Sequence, residues 1–465
     1  RMLTKIKNKY IDTAFFRYVL VLAVPMIIQN AITSFVSFLD NIMVGQVGTE
    51  QMSGVAIVNQ LIFVFNICIW GGVSGAGIFG TQFYGKGDYE GQKYAFRFKM
   101  YACIIIAGIA LLLFGFFDTD LISLYLSDGG SVGNTALALQ YGEQYLRIMM
   151  AGLVPFAVSQ AYVNTIRETG HTFVPMLASL AAVVTNLVLD YVLIFGIGGI
   201  PAYGVQGAAI ATVAARFVEC AIVVIWAHTH IEKNPYLKGV YHGFSVPGHI
   251  LSGIIKKGTP LMFNEMLWAV GMAVIAQCYA VRGLEVVAAQ NISSTISNLF
   301  NIVYLQLGGC ISIVVGQLLG AGRLEEARDK DNKMIFFCVL CCMGVSLIMI
   351  FAGRYFPMIY KTEDSIKELA GRFIMISALV MPLCAFSHAS YFTLRSGGKT
   401  GITFLFDSVY TWVIVIPLAT ILAKHTALTI EMVFFFVSFT EIIKVTIGYF
   451  MIRSGIWLQN IVKEP

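Results

Sequence analysis

The chain has 465 residues, 57% of them hydrophobic and only 12% charged, about half the charged fraction of an ordinary soluble domain. That balance excludes a water-soluble globular protein and points to an integral membrane protein. The net charge of +5 is no nucleic-acid footprint, because the basic residues sit in short segments between long apolar runs, where they orient a chain in the bilayer.

Taken in order, apolar stretches broken by Gly, Pro and charge predict twelve helices. They run at roughly 15–45, 51–81, 95–117, 141–166, 173–196, 202–229, 252–281, 286–316, 334–353, 366–394, 401–424 and 428–454. Ile11 to Val44 is too long for a cleaved signal peptide, so the first segment is expected to stay in the mature protein. No alternating strand pattern of the outer-membrane kind is visible, and the expected class is all-α. The nine cysteines all fall in apolar segments, so neither a disulfide framework nor a zinc site is expected. Lys and Arg number 22 in the N-terminal arm, the even-numbered connections and the C-terminus, against seven in the odd-numbered connections. The segment from Asp118 to Tyr141 has none. Both termini are therefore expected on the cytoplasmic side.

The chain repeats itself. A shift of 235 residues superposes Pro25 on Pro260, Phe65-Asn66-Ile67 on Phe300-Asn301-Ile302, and Gln82-x-x-Gly85-x-Gly87 on Gln317-x-x-Gly320-x-Gly322. A shift of 228 places Thr165-x-Arg167-x-x-Gly170-x-Thr172 on Thr393-x-Arg395-x-x-Gly398-x-Thr400. Two six-helix halves follow, 1–228 and 258–465, joined by a polar cytoplasmic linker at 229–257. Because six is even, the halves are parallel bundles related by a pseudo-two-fold axis along the membrane normal, with substrate expected between them.

Some motifs mislead. Gly75-Ala-Gly77-Ile-Phe-Gly80 spells a dinucleotide fingerprint but lacks the preceding strand and the following acid, and it reads instead as close helix packing. Gly398-Lys399-Thr400 lacks the earlier glycine of a phosphate loop. No enzyme, cofactor or nucleic-acid partner is implied.

Charge inside a bilayer costs several kcal/mol, so each buried ionisable group needs an account. Arg216 with Glu219, and Glu441 with Lys444, stand at i, i+3 and are expected to neutralise each other. Asp40 and Asp190 lie five and six residues before the turns at Gly45 and Gly196, hence at a common depth of about 10 Å. Asn186 shares a helix face with Asp190, and Thr212 reaches a similar level. Two carboxyls, an amide and a hydroxyl describe either a hard-cation site or a pair sharing a proton. Glu265 and Asp407 share a second depth, about 12 Å from the other boundary.

With Phe38-Leu-Asp40-Asn-Ile-Met-Val-Gly45, Asn186-Leu-Val-Leu-Asp190, Gly204-Val-Gln-Gly207, Gly316-Gln-Leu-Leu-Gly320-Ala-Gly322 and Leu394-Arg395-Ser-Gly397-Gly398, the chain closely resembles the multidrug and toxic compound extrusion (MATE) transporters over nearly its whole length. The resemblance implies a secondary antiporter that exports organic, mostly cationic amphipathic compounds in exchange for H+ or Na+ by alternating access. A flippase for a lipid-linked substrate of the same superfamily is the alternative. The family's first-half cation set matches Asp40, Asn186, Asp190 and Thr212, with Asn164 near the place of a further Asn. A second-half acid matches Glu265, with Asp407 beside it as a substrate or cation group. Where members often carry another acid, this chain has Ser387 and His388. A monomer in the inner or plasma membrane is expected, with small organic substrates and the lipid bilayer as its partners and Na+ as the one metal ion foreseen.

Overall fold

In hydrocarbon no water is present to satisfy peptide groups, so apolar runs of this length close their hydrogen bonds as helices. The computed structural model describes residues 10–127 and 134–463. The basic arm at 1–9 and part of the segment without Lys or Arg read from Asp118 to Tyr141 lie outside the described residues. Among those described there is no strand, and eleven helical segments are long and apolar enough to cross a membrane.

The helices are α1 (Thr13–Gly45), α2 (Thr49–Lys86), α3 (Tyr89–Phe116), α4 (Asp118–Ser127), α5 (Thr135–Met149), α6 (Leu153–Glu168), α7 (Phe173–Phe195), α8 (Val205–Thr229), α9 (Gly248–Ala280), α10 (Leu284–Gly320), α11 (Leu324–Tyr355), α12 (Asp364–Ser396), α13 (Thr400–Phe404), α14 (Ile416–His425), α15 (Ile430–Phe439) and α16 (Glu441–Ser454). A 3-10 turn at Met150–Gly152 joins α5 and α6 into one span. Two π-helical turns, Leu405–Val409 and Thr411–Val415, connect α13 to α14. The expected twelfth span is two helices meeting at Thr440, each too short to cross alone. The short α4, which begins on Asp118 and Asp120, has no counterpart in the sequence reading.

The structure forms two compact units. The N-unit holds Ile28–Gly80 and Tyr89–Ile254; the C-unit runs to Ile27, takes Thr81–Asp88 and continues from Ile255. Two short stretches of the first sequence half thus belong to the C-unit. Lipid is as apolar as leucine, so helices associate through close packing rather than hydrophobic burial. Accordingly Ala107, Ala157, Ala161 and Ala209 are wholly buried in the N-unit core, alongside Val58, Ile69 and Leu153. In the C-unit, Phe15, Val19, Leu22 and Met26 at the start of α1 join Val315, Cys338, Ala385 and Ala389 in one core.

The repeated Gln-x-x-Gly-x-Gly motif has a structural explanation inside the C-unit. A Cβ on Gly85 would sit 1.9 Å from the Gln317 carbonyl oxygen, and one on Gly320 would sit 1.9 Å from that of Gln82. The two copies of the motif therefore cross backbone to backbone, which only glycine permits. Gly87 and Gly322 then end their helices at φ +79° and +76°.

Residues 229–257 are ordered. Arg97 donates to the carbonyls of Val240, Ser245 and Gly239 at 2.8, 3.1 and 3.3 Å, and Tyr236 is fully buried. Arg97 thereby fastens this segment to α3.

Candidate functional site: two carboxyls in the N-unit

Asp40 stands five residues before the end of α1, and Asp190 five before the end of α7. The structure brings the two carboxyls together as interacting neighbours. Oriented by its surroundings, the Asn186 amide donates to both Asp40 oxygens at 3.1 and 3.2 Å. The other end of that amide lies 3.4 Å from the Thr212 hydroxyl. Thr212 itself donates to the Ala208 carbonyl one turn back, at 3.0 Å. Asn186 and Asp190 are buried, Asp40 and Thr212 partly so. Asp190 Oδ1 is a buried oxygen with no hydrogen-bond partner.

The four residues expected to group do so because i, i+4 on α7 stacks Asn186 over Asp190, while α1 and α8 present Asp40 and Thr212 at the same height. The buried Tyr145 of α5 completes the group. Its hydroxyl donates to Asn59 at 3.3 Å and lies close to Thr212, Asp40 and Asp190. Nothing in the spacing of the sequence distinguished Tyr145 from the other tyrosines.

Asn164 is not brought into this group. It lies four residues before the end of α6, next to the Thr169–Thr172 turn and therefore at the opposite end of the bundle from Gly45, and its side chain faces Gly77 beside Glu168. Helix direction is the physical reason: α6 runs away from the end where α1 and α7 finish. The glycines at 77 and 80 make room there. A Cβ on Gly80 would meet Glu168 Oε2 at 2.3 Å. Glu168 forms a buried ion pair with the fully buried Lys99, which also donates to Thr165 at 2.9 Å. Neither member was weighed as a buried charge in the sequence, nor was Asp331, which is fully buried and accepts from Thr393 at 2.5 Å.

The expected pairing of Arg216 with Glu219 is a correction. Arg216 turns to the Gly152 carbonyl at 3.5 Å and lies over the Phe156 ring, while Glu219 accepts from Ser179 at 2.7 Å. The i, i+3 rule places two side chains on one face, but each found a nearer partner on a neighbouring helix.

In the C-unit, Asp407 sits within a π-helical turn, a distortion frequent at functional sites. Its carboxylate accepts from Lys444 Nζ at 3.0 Å and from the Asn264 amide at 3.1 Å. Asn264 is the residue of α9 that meets Asp407; Glu265, one position on, lies in the field of Arg395 and Asp407. Glu265 and Asp407 are thus neighbours in charge, with Asn264 and Lys444 as the contacts that the sequence reading missed.

A family model, MatE, matches the chain twice, over residues 25–192 and 260–421, starting in each case at the repeated proline. The chain belongs to the MatE family. Its curated relatives include a probable multidrug resistance protein NorM of Thermotoga maritima, 22% identical over 95% of this chain and 93% of that one. Another is the probable multidrug resistance protein NorM of Halalkalibacterium halodurans, 25% identical over 88% of each. Among solved structures, a MATE transporter of Vibrio cholerae superposes with a TM-score of 0.84 at 16% identity, covering 96% of this chain and 98% of that chain. The MatE fold therefore extends over essentially the whole of this multi-pass membrane protein.

Proposed function

We propose that the protein is a secondary active antiporter that exports organic, mostly cationic and amphipathic compounds in exchange for H+ or Na+ by alternating access. One observation carries the reading: the two N-unit carboxyls are placed together, with Asp190 Oδ1 buried and unpartnered. Two adjacent carboxylates in a poor dielectric repel each other, and a proton shared between them or a sodium ion relieves that repulsion. The donor set fits either ion. Carboxylate, amide and hydroxyl oxygens are hard ligands, and the Asn186 amide orients Asp40.

Coupling then follows from differential affinity. A conformation in which the carboxyls bind the ion tightly and one in which they release it are linked to substrate binding by the same free energy, so inward ion flow drives substrate outward. The names of the curated NorM relatives support multidrug export as the transported class. The distribution of Lys and Arg supports both termini facing the cytoplasm in an inner or plasma membrane. The chain is proposed to work as a monomer and without a cofactor.

The test is drug accumulation. Cells expressing the protein should hold less of a fluorescent lipophilic cation than cells expressing Asp40→Asn at equal membrane abundance. Equal accumulation in the two for a panel of such cations would overturn the reading.

A further inference from the structure

The C-unit carries a cation seat that the transport reading does not use. Lys444 Nζ lies 3.0 Å from Asp407 Oδ1 and 3.7 Å from Glu441 Oε1. The rings of Phe406 and Tyr410 face the same ammonium, with centroids 5.4 and 5.6 Å away. The carboxylates are held from behind: Asn264 donates to the second oxygen of Asp407, and the Ser387 hydroxyl donates to Glu441. Asn264 is fixed in turn by the Ser408 hydroxyl, which donates to its Oδ1 at 2.6 Å. Two carboxylates and two aromatic faces around one nitrogen are the groups that recognise an ammonium ion. Here the ammonium belongs to the chain.

The repeat shows what is particular to this half. The shift of 235 sets Gln29 on Asn264, and the shift of 228 sets Ser179 on Asp407. In the N-unit, Arg167 donates to Gln29, Gln29 donates to Ser179 at 2.6 Å and Ser179 donates to Glu219, a relay with one carboxylate and its cation at the far end. The C-unit has Asp407 where the N-unit has serine; Lys444, which the same shift sets on Arg216, turns to that carboxylate, whereas Arg216 turns to the Gly152 carbonyl. The N-unit keeps its own pair of carboxyls at Asp40 and Asp190, and among the described residues neither forms an ion pair.

We propose that Lys444 is a tethered cation that fills the seat between Asp407 and Glu441, so that the C-unit takes up no external cation. Resting on the antiporter reading above, this leaves uptake of the coupling ion to the N-unit. Removing the tethered charge leaves two buried carboxylates without their counter-ion, a state costly enough to draw in a free one.

The test reads binding rather than transport, so it stands apart from the antiporter reading. Thermal unfolding of the purified protein in detergent is compared in sodium, methylammonium and choline chloride at equal ionic strength. The variants are wild type, Lys444→Met, Lys444→Arg and Lys444→Met/Asp407→Asn. Lys444→Met should gain a methylammonium or sodium stabilisation of roughly 3 to 5 °C beyond the wild type's own response, the size set by a ligand far above its Kd. Lys444→Arg should gain none, and adding Asp407→Asn should abolish the gain. A Lys444→Met protein no more cation-sensitive than wild type would overturn the proposal, as would a gain that survives Asp407→Asn. If Lys444→Met cannot be purified in choline, recovery in methylammonium or sodium supports the seat. Failure in all three salts overturns it.

Discussion

Replacing Asp40 by Asn removes one charge of the N-unit pair while keeping size and hydrogen-bonding capacity, so its effect isolates ionisation. An ion about 4 Å from a carboxylate gains about 4 kcal/mol at an effective dielectric near 20. Loss of that charge should therefore weaken cation binding by about a thousandfold. The proposed site has both carboxyls serving one ligand, with Asp190 Oδ1 unpartnered and Asn186 donating to Asp40. The losses should then overlap: Asp40→Asn, Asp190→Asn and the double variant should all be equally inert. Efflux from proteoliposomes and cation-dependent thermal stabilisation, measured on the four proteins of this cycle, read the coupling directly. Two small, additive losses would refute the shared site, and full efflux by Asp40→Asn would remove the carboxyl from the mechanism.

Three structural predictions accompany it. Gly85→Ala and Gly320→Ala each force a Cβ to within 1.9 Å of a backbone carbonyl oxygen, so each should lower the melting temperature in detergent by several degrees, an overpacking cost of about 1–3 kcal/mol, with unchanged melting as the contrary result. Arg282 donates to the carbonyls of Ala423, Leu428, Leu422 and Thr426 at 2.6–3.1 Å, capping the end of α14; Arg282→Ala should destabilise by about 2–4 kcal/mol, and Arg282→Lys should recover only part of it. Asp12 is held below the usual carboxylate range, first by the Phe15 amide at 3.1 Å and then by Lys330 at 3.2 Å. A depressed carboxyl pKa stabilises the fold above the unfolded value near 3.9 and ceases to do so as pH falls through the folded value, so Asp12→Asn should melt earlier than wild type at pH 7, and the gap should shrink as the pH is lowered below about 3.9.

The repeat and the helical spans were legible because lipid imposes one solution on long apolar runs, and because Pro25 and Pro260, or Gly85 and Gly320, recur at one shift. The N-unit site was legible for a related reason. Helix rise converts distance from a turn into depth, and that arithmetic brought Asp40, Asn186, Asp190 and Thr212 to one level. What depth leaves open is azimuth. It could not tell that Asn264 rather than Glu265 meets Asp407, nor that Lys444, 37 residues away, neutralises it. Nor does spacing along one helix fix the partner when a neighbour is closer, as Arg216 and Glu219 show. Lys99, Glu168 and Asp331 escaped notice because charges near span ends read as solvated, whereas here they are buried against each other or a threonine hydroxyl. The break at Thr440 and the π-helical turns around Asp407 have no signature in hydropathy at all.

The central claim, that ion binding at Asp40 and Asp190 drives export, is tested most directly in proteoliposomes loaded with a fluorescent organic cation. An inward jump of protons or of sodium is imposed, one at a time, on wild type and on Asp40→Asn. One of the two jumps should trigger efflux from the wild type and neither should do so from the variant; efflux that ignores both ion gradients, or that persists in Asp40→Asn, would contradict it.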